Sequence, residues 1–267
     1  GKGVNWQDEV FKNTTISDVT ASISGGGEKF SYYFGASHLT QDGIVAPEKS
    51  NFKRNNVKVS LGADITPKLK MNFTANYYNN KRKTIEENGL GAVLFNALNF
   101  SPTYGLHDED LTGFLGNEVI NPLAQIDNTY NQYDGNGLEG NFQLSYNLIE
   151  GLDLTSRIGF KTYSDEKKDF QPLSFFGTGK IFNRSRSTVT QEKNETHAYT
   201  WETFATYNKT FWKNHNTSLT VGTSAQRNWG SGLSATGYDV PNNSWDFADI
   251  GLTTGTNSSK TNNSYVN

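Results

Sequence analysis

The chain contains no cysteine, which excludes disulfide frameworks, thiolate zinc sites and cysteine nucleophiles together. It has no apolar run long enough for a membrane helix and no signal peptide at Gly1, so any membrane crossing must be made by strands. Neither end carries a cap or stop, and the expectation is a segment of a longer protein. Apolar residues fill only 34% of the 267 positions, below the usual share of a soluble globular domain. Neither sign of charge dominates: 24 Lys and Arg face 27 Asp and Glu, and no basic run exceeds Lys81-Arg82-Lys83. A phosphate-tracking surface is not expected, and nucleic acid is not an expected partner. Catalytic signatures are missing as well. There is no serine-nucleophile elbow, phosphate-binding loop or zinc-protease motif, and His38, His107, His197 and His215 offer no metal-ligating pair on one element. No carboxylate pair stands out as a glycosidase dyad. The expectation is a protein without catalytic residues or a catalytic metal, and not an enzyme.

What is present is aromatic and strand-patterned. Aromatics make up 13% of the chain, with 17 Phe, 13 Tyr and 5 Trp, unlike an aromatic-poor disordered chain. The stretch from Leu138 to Tyr163 shows the pattern most fully. Leu138, Phe142, Leu144, Tyr146 and Leu148 alternate with Glu139, Asn141, Gln143, Ser145 and Asn147. After Ile149-Glu150-Gly151, Leu152, Leu154, Ile158 and Phe160 alternate with Asp153, Thr155, Arg157, Gly159 and Lys161. A period of two makes each arm a strand with one apolar and one polar face. Each arm is about ten residues long, the length of a tilted strand that crosses a bilayer.

Similar strands precede and follow. Val19, Ala21 and Ile23 lead to the turn Gly25-Gly26-Gly27, and Phe30, Tyr32, Phe34 and Ala36 return, with Tyr33 an exception. Val57, Val59, Leu61, Ala63 and Ile65 run to Thr66-Pro67-Lys68, and Leu69, Met71, Phe73, Ala75 and Tyr77 run back. A last hairpin pairs Tyr199, Trp201, Ala205 and Tyr207 with Leu219, Val221 and Ala225 across a turn at Trp212 to Asn216. Long loops are expected at 41–54, 79–136, 164–196 and 227–267, alternating with short turns. In an up-and-down sheet that order places every long loop at one end, the asymmetry of outer-membrane barrels. Aromatics toward both strand ends suit two interfacial girdles. The 79–136 connection exceeds the roughly 12 to 15 residues of an ordinary structureless loop, and Leu90 to Leu98 has helical spacing inside it. The fold class is all-β: an antiparallel up-and-down transmembrane β-barrel segment of roughly eight strands. Glu139, Asn141, Gln143, Asp153, Arg157 and Lys161 are expected to face the lumen, and Leu144, Leu154, Ile158, Leu219 and Val221 to face outer-membrane lipid. The alternative is a soluble secreted β-protein that binds carbohydrate through loop aromatics.

Substrate contacts are expected among loop residues that combine flat rings with polar neighbours: Tyr104, His107, Asp108, Tyr130, Tyr133 and Trp229. The run His107-Asp108-Glu109-Asp110 has the oxygen ligands calcium favours but not the spacing or glycine of a known calcium loop. Structural calcium and a solvated turn are the two readings.

Several stretches together carry a resemblance. Trp6-Gln7-Asp8-Glu9-Val10-Phe11, Ser22-Ile23-Ser24-Gly25-Gly26-Gly27-Glu28-Lys29 with Tyr32-Tyr33-Phe34, Gln41-Asp42-Gly43-Ile44-Val45 and Phe52-Lys53-Arg54 occur in that order. Asn121-Pro122-Leu123-Ala124, Glu150-Gly151-Leu152 and Tyr207-Asn208-Lys209-Thr210-Phe211 follow. In this the chain resembles the SusC/RagA family of TonB-dependent outer-membrane transporters over essentially its whole length. The resemblance implies a larger, plugged barrel of the 22-stranded kind in the outer membrane of a Gram-negative, Bacteroidetes-type bacterium. It implies a SusD-like surface lipoprotein as lid, energy from the TonB complex, and an oligosaccharide or peptide as cargo. It also implies a plug-to-barrel connection at 1–14 and a partial barrel over 15–267.

Overall fold

The computed structural model describes residues 2–86, 89–212, 215–255 and 257–266. Among these, nine strands form one antiparallel sheet in strict chain order, not closed between its first and last members. They are β1 (Ile16–Gly26), β2 (Phe30–Asp42), β3 (Asn51–Thr66), β4 (Leu69–Lys83), β5 (Tyr130–Ile149), β6 (Leu152–Gln171), β7 (Thr188–Phe211), β8 (His215–Tyr238) and β9 (Ser258–Val266). The up-and-down all-β architecture matches expectation. So does the loop asymmetry: short turns follow β1, β3, β5 and β7, and long connections follow β2, β4, β6 and β8. Residues 213 and 214 of the expected Trp212–Asn216 turn lie outside the described residues.

The strands are longer than expected. β5 and β6 have 20 residues each, and β7 and β8 have 24. The excess lies at the long-loop end, where the outward face turns from apolar to charged. Lys81 meets Asp134 at 3.4 Å and Lys193 meets Glu166 at 3.4 Å there, pairs that belong in water. Above the bilayer both faces are wet, so the sequence carries no alternation to read while the backbone ladder continues. The expected loops therefore shrink: 41–54 to 43–50, 79–136 to 84–129 and 164–196 to 172–187. Most of 227–267 is strand, with β8 reaching Tyr238 and β9 beginning at Ser258.

The long connections fold into a layer of their own. Helices α1 (Trp6–Val10), α2 (Val93–Asn99) and α3 (Pro122–Asp127) meet there. Trp6, Val10, Val45, Val93, Phe100 and Ile126 form its core. Trp6 packs edge-on against Phe100, and its ring N–H donates to the Ser101 carbonyl at 3.1 Å. Of residues 1–14, expected as a plug-to-barrel connection, 2–14 lead into β1 from the long-loop side and are docked into this layer at Trp6 and Val10. The expected helix over Leu90 to Leu98 begins only at Val93. Gly91 holds a left-handed φ of 75°, which a helix cannot contain, and Leu90 and Leu98 are exposed.

Helix α3 shows why Asn121-Pro122 stand together. The Asn121 side-chain oxygen accepts from the N–H groups of Leu123 and Ala124, and Pro122 occupies the first helical position where no N–H is needed. The Asn121 amide donates to the carbonyls of Leu106 and Asp108 at 2.8 and 3.0 Å, so one buried residue caps a helix and pins the preceding loop. Asn121→Ala should cost the loop layer about 1 to 2 kcal/mol. Hydrogen exchange checks this, with faster exchange expected at both 105–109 and 122–128. Asn121→Asp keeps the cap acceptor and should loosen 105–109 alone.

Candidate functional site

The register puts the expected polar set on one face. Glu139 lies opposite Lys161, Asn141 opposite Gly159, Gln143 opposite Arg157, and Asn147 opposite Asp153. Arg157 in turn lies opposite Glu202 and donates to it through Nε at 3.0 Å. Tyr33 shares this polar face through its pairing with Ser60, which explains the break in the alternation of β2. The other face carries Leu144, Leu154, Ile158, Leu219 and Val221, with Val221 67% and Leu219 59% exposed. A soluble sandwich would bury those side chains in a core; here Leu144 is half-buried and the other four are exposed, an apolar band that hydrocarbon must cover.

The inner wall has one densely built region. On β4, Asn76, Tyr78 and Asn80 point inward opposite Glu139, Gly137 and Gly135. The Tyr78 ring lies over Gly137, where an added Cβ would collide with it, and Tyr163 and Tyr133 cover Gly135 in the same way. The Tyr78 and Tyr163 centroids are 6.1 Å apart with planes tilted by 32°. The Tyr133 hydroxyl meets that of Tyr163, and the Arg82 guanidinium stands 4.9 Å from the Tyr133 ring. Glycine is required under each ring, since any side chain would lift it off the sheet. Beside this ledge lies a concavity of about 600 Å³ lined by Lys58, Asn76, Glu139, Asn141 and Lys161, with Gly159 and Ala198 as its floor.

Above the wall the loops are stapled by a buried ion pair. The Lys180 ammonium sits 2.7 Å from the Asp110 carboxylate, with both side chains 0% exposed, and donates also to the Gly116 carbonyl at 2.6 Å. Asp110 further accepts from the Leu115 N–H, the Phe114 N–H and the hydroxyls of Thr112 and Tyr104. Burial alone would push the Asp110 carboxyl up; the bond from Lys180, with the Leu115 N–H and the Thr112 hydroxyl, holds it well below the usual carboxylate range. In the run His107–Asp110 the buried carboxylate is thus held by protein donors. An ammonium already occupies the one buried carboxylate, and among the described residues no three His, Cys, Asp or Glu side chains converge.

The expected substrate contacts scatter. Tyr133 belongs to the inner ledge, and His107 and Asp108 are exposed on the loop layer. Tyr104 packs its ring against Phe100 and donates its hydroxyl to Asp110. Tyr130 lies on the outward side of the sheet extension, stacked on Trp245 and topped by the Lys49 ammonium at 3.6 Å. Trp229 is outward too, stacked on His197 at 5.1 Å and facing away from the lumen. Register decides these last two, because aromatic type says nothing about parity. Asn76, Tyr78, Asn80, Tyr163 and Lys180 were missed. Parity with Thr74 marks Asn76, Tyr78 and Asn80, whereas Lys180 carries no local signal.

An apolar outer band, a polar inner wall and long loops at one end define a segment of an outer-membrane up-and-down barrel. No family model matches the chain. It is 27% identical over 233 residues to "TonB-dependent receptor P3" of Formosa agariphila, covering 84% of this chain and 22% of that protein. It is 26% identical over 182 residues to "TonB-dependent receptor SusC" of Bacteroides thetaiotaomicron, covering 58% of this chain and 18% of that protein. The structure of the RagAB peptide transporter superposes with a TM-score of 0.79 at 15% identity, over 98% of this chain and 30% of that one. The chain spans roughly a fifth of the curated relatives it matches. It fits a barrel segment of a SusC/RagA-like TonB-dependent receptor, which places it in the outer membrane of a Bacteroidetes-type bacterium. These relatives are receptors and transporters and not enzymes.

Proposed function

We propose that the whole protein imports an oligomeric nutrient, a glycan rather than a peptide, across the outer membrane with energy supplied through TonB. The observation that carries this reading is the inner wall itself: amides, hydroxyls and charges of both signs beside tyrosine rings, under loops packed into a firm layer. Such a surface holds neutral, hydroxyl-rich cargo by many weak contacts and lets it go. The loop layer, with its own hydrophobic core, offers a SusD-like lipoprotein a shaped surface to close upon. Peptide cargo is the second reading, favoured by the likeness to the RagAB peptide transporter. Cells expressing the full-length protein decide between them. Uptake of labelled oligosaccharide that disappears without TonB is the expected result. TonB-dependent uptake of peptides alone would overturn the glycan assignment, and recovery of the protein outside the outer membrane would overturn transport altogether.

A further inference from the structure

Above the apolar band the outward face of β3 and β4 carries an excess of positive charge. The register sets Lys53 directly opposite Lys81, with Lys83 one rung higher opposite Asn51, and all three are exposed. Like charges placed opposite one another on a sheet repel. The flanking strands bring two carboxylates to this face, Asp42 on β2 and Asp134 on β5, against the three ammonium groups. Asp134 holds Lys81 at 3.4 Å, and among the described residues Lys53 and Lys83 form no ion pair. Further along the same rung the charges balance, since Glu166 lies opposite Lys193 and meets it at 3.4 Å.

Depth decides what these lysines meet. Lys53 stands four residues above Val57 and Lys81 four above Tyr77, the last apolar residues of β3 and β4 on the outward face. At about 3.4 Å per residue and a tilt of about 40°, their Cα atoms lie about 10 Å above the hydrocarbon edge, and lysine stems reach back from there into the headgroup layer. Lys193 stands higher, six residues above Tyr199. Beside Lys53, the Asn55 side-chain oxygen accepts from the His38 ring at 2.7 Å, so its amide N–H groups remain for another acceptor. From this we infer a docking site for a phosphate-bearing lipid headgroup of the outer leaflet, clasped by Lys53 and Lys81 with Lys83 above and Asn55 below. Its acyl chains lie down the band over Val57, Leu61 and Tyr77, which are exposed on that face. A phosphate between the opposed ammonium groups turns their repulsion into two attractions. The site is on the outside of the wall, and it rests on the outward turn of β3 and β4 and not on the cargo.

The test uses the full-length protein in neutral detergent micelles and reads lipid retention by native mass spectrometry, with monophosphorylated lipid A and the same lipid freed of its phosphate as ligands. The parent should retain the phosphorylated lipid and not the other, and less of it as salt rises. Lys53→Gln and Lys81→Gln should each weaken retention about fivefold, and the double variant about 25-fold. Lys193→Gln, whose ammonium is already paired, should retain the lipid as the parent does. Equal retention of the phosphate-free lipid, or unchanged retention in a double variant that keeps the heat-modifiable gel mobility of a folded barrel, would overturn the site. Displacement of the lipid by millimolar inorganic phosphate would show a free-anion site and overturn the lipid assignment. Displacement by the bound lipoprotein partner would give the lysines to that interface and overturn it likewise.

Discussion

Lys180→Met should open the loop layer while leaving the barrel intact, at a cost of about 3 to 5 kcal/mol, because it strands the Asp110 carboxylate in a dry site. Asp110 keeps its bonds from Leu115, Phe114, Thr112 and Tyr104, but those neutral donors do not replace an ammonium at 2.7 Å. The connections 84–129 and 172–187 are held together through this pair, so both should gain hydrogen exchange, at 105–118 and 174–184. The double variant Asp110→Asn with Lys180→Met removes both charges and should recover much of the loss. Unchanged exchange in Lys180→Met would show that the pair staples nothing. The pH dependence follows from the depressed Asp110 carboxyl. Its folded value lies below the unfolded one of about 3.9, so its stabilisation is complete well above that value and is lost as pH falls below it. The parent loops should therefore hold from neutrality to about pH 4 and loosen only in stronger acid.

The membrane-spanning part of the fold was legible because lipid imposes alternation. Wherever one strand face meets hydrocarbon, the period of two appears, as in Leu138 to Leu148. Above the bilayer the same strands continue as Tyr130–Gly137 and Ser164–Gln171, and the pattern disappears because water accepts either face. That is why β9 and the upper halves of β5 to β8 read as loop. The resemblance motifs were legible for a different reason. Trp6-Gln7-Asp8-Glu9-Val10-Phe11 and Gln41-Asp42-Gly43-Ile44-Val45 lie far apart in sequence but adjacent in space. Phe11 bridges Val45, the Lys12 N–H donates to the Ile44 carbonyl at 2.8 Å, and that of Ala46 donates to Val10 at 3.1 Å. The motifs meet in the core of the loop layer, so they carry the resemblance through packing and say nothing of cargo. The inner ledge was half legible: Tyr133 could be chosen as an aromatic beside polar residues, but its partners Tyr78 and Tyr163 come from neighbouring strands and depend on register. Trp229 and Tyr130 lie on the outward face for the same reason, since one residue of register exchanges inside for outside.

Arginine placed at Ile158 should cost about 2 to 4 kcal/mol of barrel stability, while arginine at Gln143 should be nearly neutral. Ile158 pairs with Phe142 and Trp201 on the outward face and is 47% exposed on the sheet, so a guanidinium there has only lipid around it. Gln143 pairs with Arg157 on the inward face, where Glu202 neutralises that arginine and water screens the like-charge contact, so the cost there stays small. Leu144→Arg should behave as Ile158→Arg does, and Leu219→Arg, nearer the short turn to β7, should cost less because a long side chain can snorkel to the interface. Unfolding of the full-length protein in lipid vesicles, followed by loss of heat-modifiable mobility with denaturant, measures all four. Equal tolerance at Ile158 and Gln143 would mean that the apolar band does not face lipid. The inner wall, the ledge and the cargo assignment would then lose their common support, since each rests on which way β5 and β6 are turned.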